Sequence, residues 1–353
     1  MREFGSEHSA VLLPDGYFGS FETLGREVLY LQSGREALLL AALSVCNKEK
    51  KTILFPSYCC WSMSAPFKNS GWNLAYYRLN EDLTVNLEFL ANLLETVEAD
   101  AILTMNFYGS ACTDEAVTLA KSKNVVVIED FSHCTFSFKQ IFNPDVDVYV
   151  SSIRKSVGVS DGAVLLSKEA MKTELMGNGS PEFSDRRFDA QKSKWEYLFS
   201  KDIASKNIFL SEIRECEDVL NDFSIVEPIS HRAKQMLSLI NGNSIAYARR
   251  QNMKHLMERL AGNVRMVRGL ERCLEGAPFS LPILVENRDC VQKQLAEAGV
   301  YAPVLWPISE EAASVCPVSK VISEQMLSIP IDQRYNWDDI EDIATRVIQI
   351  CCK

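Results

Sequence analysis

Short, near-continuous apolar runs alternate with helix-spaced segments along the first half of the chain, and this alternation limits the fold more than any other feature. Val28 to Leu31, Lys51 to Tyr58 (strand, then turn), Asn73 to Leu79, Ala101 to Asn106 and Val125 to Ile128 read as strands. Between them Ala37 to Leu43, Trp61 to Ser70, Leu87 to Val97 and Asp114 to Lys123 read as helices. Strands that are apolar at successive positions are buried on both faces, which predicts a mainly parallel sheet covered by helices. Ligands of such sheets gather at the carboxyl ends of the strands, where this chain places Ser33, Ser57, Asn106, Asp130 and the pair Ser151 and Ser152.

Two further apolar runs, Val148 to Val150 and Ala163 to Leu166, flank a polar turn that contains Lys155. A lone turn lysine is ordinarily solvated. Burial between two strands would instead lower its pKa and free its amine for Schiff-base chemistry. Ser33 and Glu36 form a capping-box pattern ahead of a good helix; this is either a plain N-cap or a helix start whose free N–H groups point at one spot suited to phosphate. Asp130 closes a strand, where a buried acid can keep a pyridine nitrogen protonated. A phosphate cradle, a strand-end acid and a turn lysine together are the working set of a pyridoxal 5′-phosphate enzyme.

The remainder is less regular. Residues 1 to 28 read as an irregular arm with a turn at Pro14-Asp15-Gly16, and Phe183 to Asp189 as a surface segment. Arg232 to Ala261 reads as helix broken at Asn241-Gly242-Asn243. Phe279 to Val285 and Ile322 to Pro330 read as strands, and Trp337 to Cys351 as an amphipathic helix. The expected division is a large cofactor-binding domain over residues 1–245 and a small α+β domain over residues 246–353. A net charge of −10 argues against nucleic acid and anionic membranes as partners. Eleven scattered cysteines without metal spacing, and an N-terminus lacking an apolar core, lead to an expectation of free thiols, no metal and a cytoplasmic location.

The chain resembles the DegT-like sugar aminotransferases, fold-type I pyridoxal-phosphate enzymes, over nearly its whole length. The residues that carry the likeness are Ser33-Gly34-Arg35 through Leu38, Pro56-Ser57-Tyr58, Asn106 to Gly109, Ile128 to His133, Ser151 to Lys155, Ser160-Asp161-Gly162 and Ala296 to Pro307. The resemblance implies that Lys155 carries the Schiff base, Asp130 pairs with the ring nitrogen and His133 lies near the phenolic oxygen. It implies that Gly34, Arg35 and either Ser151 or Ser152 hold the phosphate, and that Ser230 sits where the family reaches the partner subunit's phosphate. Arg35 stands for a family threonine, Ser230 for an asparagine, and Cys60 for the aromatic that stacks on the ring, with Trp61 one place on.

The implied activity is transfer of an amino group from a small donor, glutamate by resemblance, to a keto acceptor such as a nucleotide-linked keto sugar, in a homodimer. Two alternatives remain open from the residues. One is another pyridoxal-phosphate reaction, such as a lyase or desulfurase. The other is a cofactor-retaining sensor or structural protein.

Overall fold

A computed structural model of the chain describes residues 2–8 and 25–352. The strands are β1 (Phe4–Gly5), β2 (Glu27–Leu31), β3 (Lys51–Pro56), β4 (Trp72–Tyr77), β5 (Ala101–Met105), β6 (Val126–Asp130), β7 (Val148–Ser151), β8 (Ala163–Ser167), β9 (Leu281–Leu284), β10 (Val300–Tyr301) and β11 (Met326–Ile329). The helices are α1 (Gly34–Ser44), α2 (Trp61–Asn69), α3 (Leu87–Thr96), α4 (Asp114–Ser122), α5 (Phe138–Ile141), α6 (Pro181–Ser200), α7 (Ile203–Val219), α8 (His231–Ser238), α9 (Gly242–Leu260), α10 (Arg288–Glu297), α11 (Glu310–Val315), α12 (Pro317–Gln325) and α13 (Trp337–Cys351).

The strands β2 to β8 form one sheet in the order β2-β8-β7-β6-β5-β3-β4. The five strands from β7 to β4 pair in parallel, and β8 alone runs against both neighbours. β5, β7 and β8 are buried at every position, so the sheet is covered on both faces, as their uninterrupted apolar sequence requires. The α/β class expected from the alternation is therefore the architecture found. Helices α1 and α2 pack on each other, and α3 packs on α4.

The C-terminal part builds a two-stranded antiparallel sheet from β9 and β11, beside which α13 packs on α9 and α10. The N-terminal segment is not wholly irregular. Phe4 and Gly5 pair in parallel with Val300 and Tyr301, Phe4 is buried against Tyr335, and the Gly5 N–H donates to the Tyr335 hydroxyl at 2.6 Å. The turn expected at Pro14-Asp15-Gly16 lies outside the described residues.

Two readings are corrected. Ile322 to Pro330 is the end of a helix followed by a short strand, because Pro317 starts α12 and the apolar positions up to Gln325 follow helical spacing. Phe183 to Asp189 is not a surface segment, since Phe183, Ser184 and Arg187 belong to the buried stripe of α6. That stripe continues through Ala190, Gln191, Lys194 and Tyr197 and carries polar side chains at core-facing positions. No helix among the described residues is long and apolar enough to cross a membrane.

The motif Asn106 to Gly109 owes its form to backbone geometry. Tyr108 and Gly109 both have positive φ, and a Cβ on Gly109 would stand 2.8 Å from the Pro278 Cα. Gly109→Ala should therefore cost on the order of 2–4 kcal/mol in chemical denaturation. A loss within experimental error would show that the Ala277-Pro278 backbone yields freely.

Candidate active site

The strands that run parallel bring their carboxyl ends to one edge, and the β7–β8 connection folds over it. β7 passes into a 3₁₀ turn, Ile153–Lys155, that places Lys155 at its last position. Lys155 is half-buried rather than buried, and its Nζ enters no ion pair or hydrogen bond among the described residues. It lines a cavity of about 600 Å³ together with Arg154, Arg249, Phe279, Ser280 and Arg334.

The turn is braced from three sides. The Ser152 N–H donates to Ser132 Oγ at 2.9 Å, which fastens the end of β7 to the segment after β6. The Arg154 N–H donates to the Gly162 carbonyl at 3.3 Å. The buried Arg249 guanidinium donates to the Ser156 carbonyl at 3.2 Å and, through Nη1, to the carbonyls of Pro278 and Phe279 at 3.1 and 3.0 Å. Burial lowers the Arg249 pKa to about 10, which leaves it charged at neutral pH.

Asp130 ends β6 and is buried. Its Oδ1 accepts the Ser132 N–H at 2.8 Å, and its Oδ2 has no partner among the described residues. His133 lies one turn on, stacked on Phe279 with ring centroids 4.2 Å apart and planes 5° from parallel. Its Nδ1 accepts the Tyr108 N–H at 3.1 Å, which leaves the ring hydrogen on Nε2. Burial, reinforced by Lys155 and Arg249, pushes the His133 pKa well below its ordinary value, so the ring is neutral. Phe279 lines the cavity on which Lys155 opens, so His133 is separated from it by one aromatic contact.

At the other end, Ser33 caps α1 by accepting the Glu36 N–H at 3.2 Å, and its hydroxyl donates to Glu36 Oε2 at 2.6 Å. Gly34 and Arg35 occupy the first helical turn, where N–H groups lack intrahelical partners. A Cβ on Gly34 would stand 3.0 Å from Ser152 Cβ, so the helix start is pressed onto the end of β7. The two candidate serines separate here. Ser151 is engaged with Thr135 at 2.8 Å, whereas Ser152 faces Gly34.

Other expected residues lie elsewhere. Trp61 is 56% exposed and tilts on Phe223 at 6.1 Å, so it does not face the cavity. Cys60 caps α2, with Sγ 2.9 Å from Ser62 Oγ. Ser230 caps α8, and its N–H and hydroxyl both donate to Asp161 at 2.7 Å. Sequence reasoning missed Arg249, Arg187 and Glu217. Arg249 and Arg187 occupy ordinary helical positions, and no local pattern marks the distant groups they bind.

No family model and no curated relative matches the chain. Solved structures do. A DegT DnrJ EryC1 StrS aminotransferase from Brucella abortus is 16% identical, with a TM-score of 0.65 over 94% of this chain and 88% of that one. Helicobacter pylori PseC, an aminotransferase of pseudoaminic acid biosynthesis, is 12% identical with a TM-score of 0.64 over 99% of both chains. DesV from S. venezuelae, solved with a ketimine intermediate, is 16% identical with a TM-score of 0.62 over 92% and 85%.

Two carboxyls near this edge are buried among neutral donors. Glu36 and Glu129 are each raised to about 7 by burial, against the hydrogen bonds they accept. Glu129 takes those bonds from Thr113, Thr104 and Asn106. A carboxyl raised on folding keeps a proton that the unfolded chain has lost, so its contribution to stability falls as pH rises from about 4.5 to about 7. Glu129→Gln should flatten the decline in unfolding temperature across that window, with up to roughly 3 kcal/mol at stake. An unchanged pH profile would mean that Glu129 is ionised despite its burial.

Sequence resemblance and three-dimensional comparison thus agree on one architecture: the chain has the fold of the DegT-like aminotransferases.

Proposed function

We propose that the protein is a pyridoxal-phosphate-dependent aminotransferase that moves an amino group from a small donor, with glutamate as the first candidate, to a keto acceptor. A nucleotide-linked keto sugar is the acceptor class suggested by the resemblance and by DesI, a structure of the same fold solved in the presence of its TDP-sugar product. The observation that carries this reading is the unpaired Lys155 amine on a cavity wall, at the edge where Asp130 and neutral His133 are buried.

The donor set has the chemistry the cofactor needs, although Gly34, Arg35, Ser152, Asp130 and His133 do not border the cavity that Lys155 lines. Gly34, Arg35 and Ser152 would hold its phosphate at the start of α1. Asp130 Oδ2, fixed in orientation by the Ser132 N–H on Oδ1, would hold a proton on the ring nitrogen. His133 would donate from Nε2 to the phenolic oxygen. Bound pyridoxal 5′-phosphate supplies the electron sink that stabilises a carbanion. Lys155 Nζ would take the proton from the substrate α-carbon and return it elsewhere, since no carboxylate among the described residues ties it down. Arg334 and Arg249 on the same wall supply positive charge for an anionic donor or acceptor. Three positions depart from the family pattern: Cys60 brings no aromatic ring, Arg35 stands for a threonine, and Ser230, engaged with Asp161, stands for an asparagine. A homodimer belongs to this reading, and the exposed Trp195, Phe199 and Ile203 of α6 and α7 are apolar area that a second copy would cover.

Adding pyridoxal phosphate to the protein should produce the near-visible band of a lysine-bound cofactor, and glutamate should then bleach it. Lys155→Ala should lose the band and lower turnover by roughly a hundredfold or more. A band that persists through glutamate addition would favour a non-catalytic cofactor binder. No band at all would remove the cofactor.

A further inference from the structure

Three arginines from separate elements converge on one carboxylate at the proposed phosphate end of the site. Arg35, from the first turn of α1, donates through Nη1 to the Glu217 carbonyl at 3.0 Å and through Nη2 to its Oε2 at 3.1 Å. Arg154, the residue before Lys155, reaches Oε1 at 2.7 Å and Oε2 at 3.3 Å. Arg187, fully buried on α6, donates to Oε1 at 2.9 Å and pairs with Glu7 at 2.9 Å. Burial opposes ionisation of Glu217, but Arg154, Arg187 and Arg35 prevail and hold its pKa far below the usual carboxylate range.

The cluster has more donor capacity than this acid uses. Among the described residues, Arg154 Nε and Arg187 Nε are buried without a hydrogen-bond partner, an arrangement that costs free energy unless another acceptor meets them. Three guanidinium charges face two carboxylates, Glu217 and Glu7, so the cluster stays positive. Glu217 has a third of its side chain exposed, whereas Arg35, Arg154 and Arg187 are more buried, so the acid is the member best placed to leave. A phosphate at the start of α1 would compete with the Glu217 carboxylate for the Arg35 guanidinium, and two anions at one cation in a poorly screened site repel each other.

We propose that Glu217 is an internal occupant of the anion site, holding Arg35 and Arg154 as a phosphate ester would, and that phosphate binds only when this carboxylate is released from them. The claim deepens the cofactor reading and rests on it for the identity of the ester, but not for the anion site itself. It makes α7 a determinant of phosphate affinity and gives Arg35, a departure from the family pattern, a partner in this chain.

Titration calorimetry with inorganic phosphate tests it on wild type and Glu217→Gln. The variant should bind phosphate on the order of tenfold tighter or better. It should show the same gain for pyridoxal phosphate and none for pyridoxal, which lacks the phosphate. Equal or weaker phosphate binding by the variant, or no binding by either protein, overturns the proposal. Should the variant fail to fold, hydrogen exchange on the wild type decides: phosphate should speed exchange in Ile203–Val219, and unchanged or slower exchange there overturns the proposal. A phosphate gain without any cofactor band would leave the anion site standing and remove the aminotransferase. A cofactor band without a phosphate gain would do the reverse.

Discussion

A buried guanidinium holds the site together. Arg249 bonds the carbonyl that follows Lys155 and, with the same planar fork, the carbonyls of Pro278 and Phe279. Phe279 in turn stacks on His133. One cation therefore sets the lysine turn, the histidine and the C-terminal part of the chain in a single register. Burying such a charge is costly unless its donors are met, and here four acceptors meet it, Gln333 Oε1 being the fourth. The amine of Lys155 can stay without a partner because its backbone is held by other groups.

Charge is distributed unevenly around this frame. The protein as a whole is acidic at −10, yet the cavity wall carries Arg154, Lys155, Arg249, Lys293 and Arg334 against Glu7, Asp289 and Asp332. Neutral His133 is a consequence of that local excess as well as of burial. The acids nearest the sheet edge divide into two kinds. Glu36 and Glu129, met by hydroxyls and amides, are raised, while Glu217 and Asp332, met by arginines, are lowered. A site of this kind favours anions that bring their own negative charge, and excludes cationic ligands on Coulombic grounds.

Much of this was legible in the chain. The uninterrupted apolar runs of β3, β5, β7 and β8 have no other stable placement than a covered sheet, and the polar residue after each run marks the ligand edge. Asp130 and Lys155 follow from that edge alone. The burial of one face of α6 was not legible, because its core-facing stripe carries Arg187, Gln191 and Lys194, residue types that are mostly exposed. Arg187 is met by Glu217 on the next helix and by Glu7, both remote in sequence, while Gln191 Oε1 and Lys194 Nζ have no hydrogen-bond partner among the described residues. Likewise, Ile322 to Gln325 taken alone does not distinguish a short helix from a strand, and the signals that do, Pro317 and the helical spacing of Val318, Val321 and Ile322, start before it.

The central claim is that one amine on this chain, Lys155, makes the covalent link to the cofactor. Lys194 is the competitor: it is buried, without a hydrogen-bond partner, and lowered to about 7 by burial and then by Arg334. Borohydride reduction of the protein incubated with pyridoxal phosphate, followed by peptide mass mapping, decides between them. The account predicts a stoichiometric adduct on the peptide containing Lys155. An adduct confined to Lys194, or none on either lysine, would contradict it.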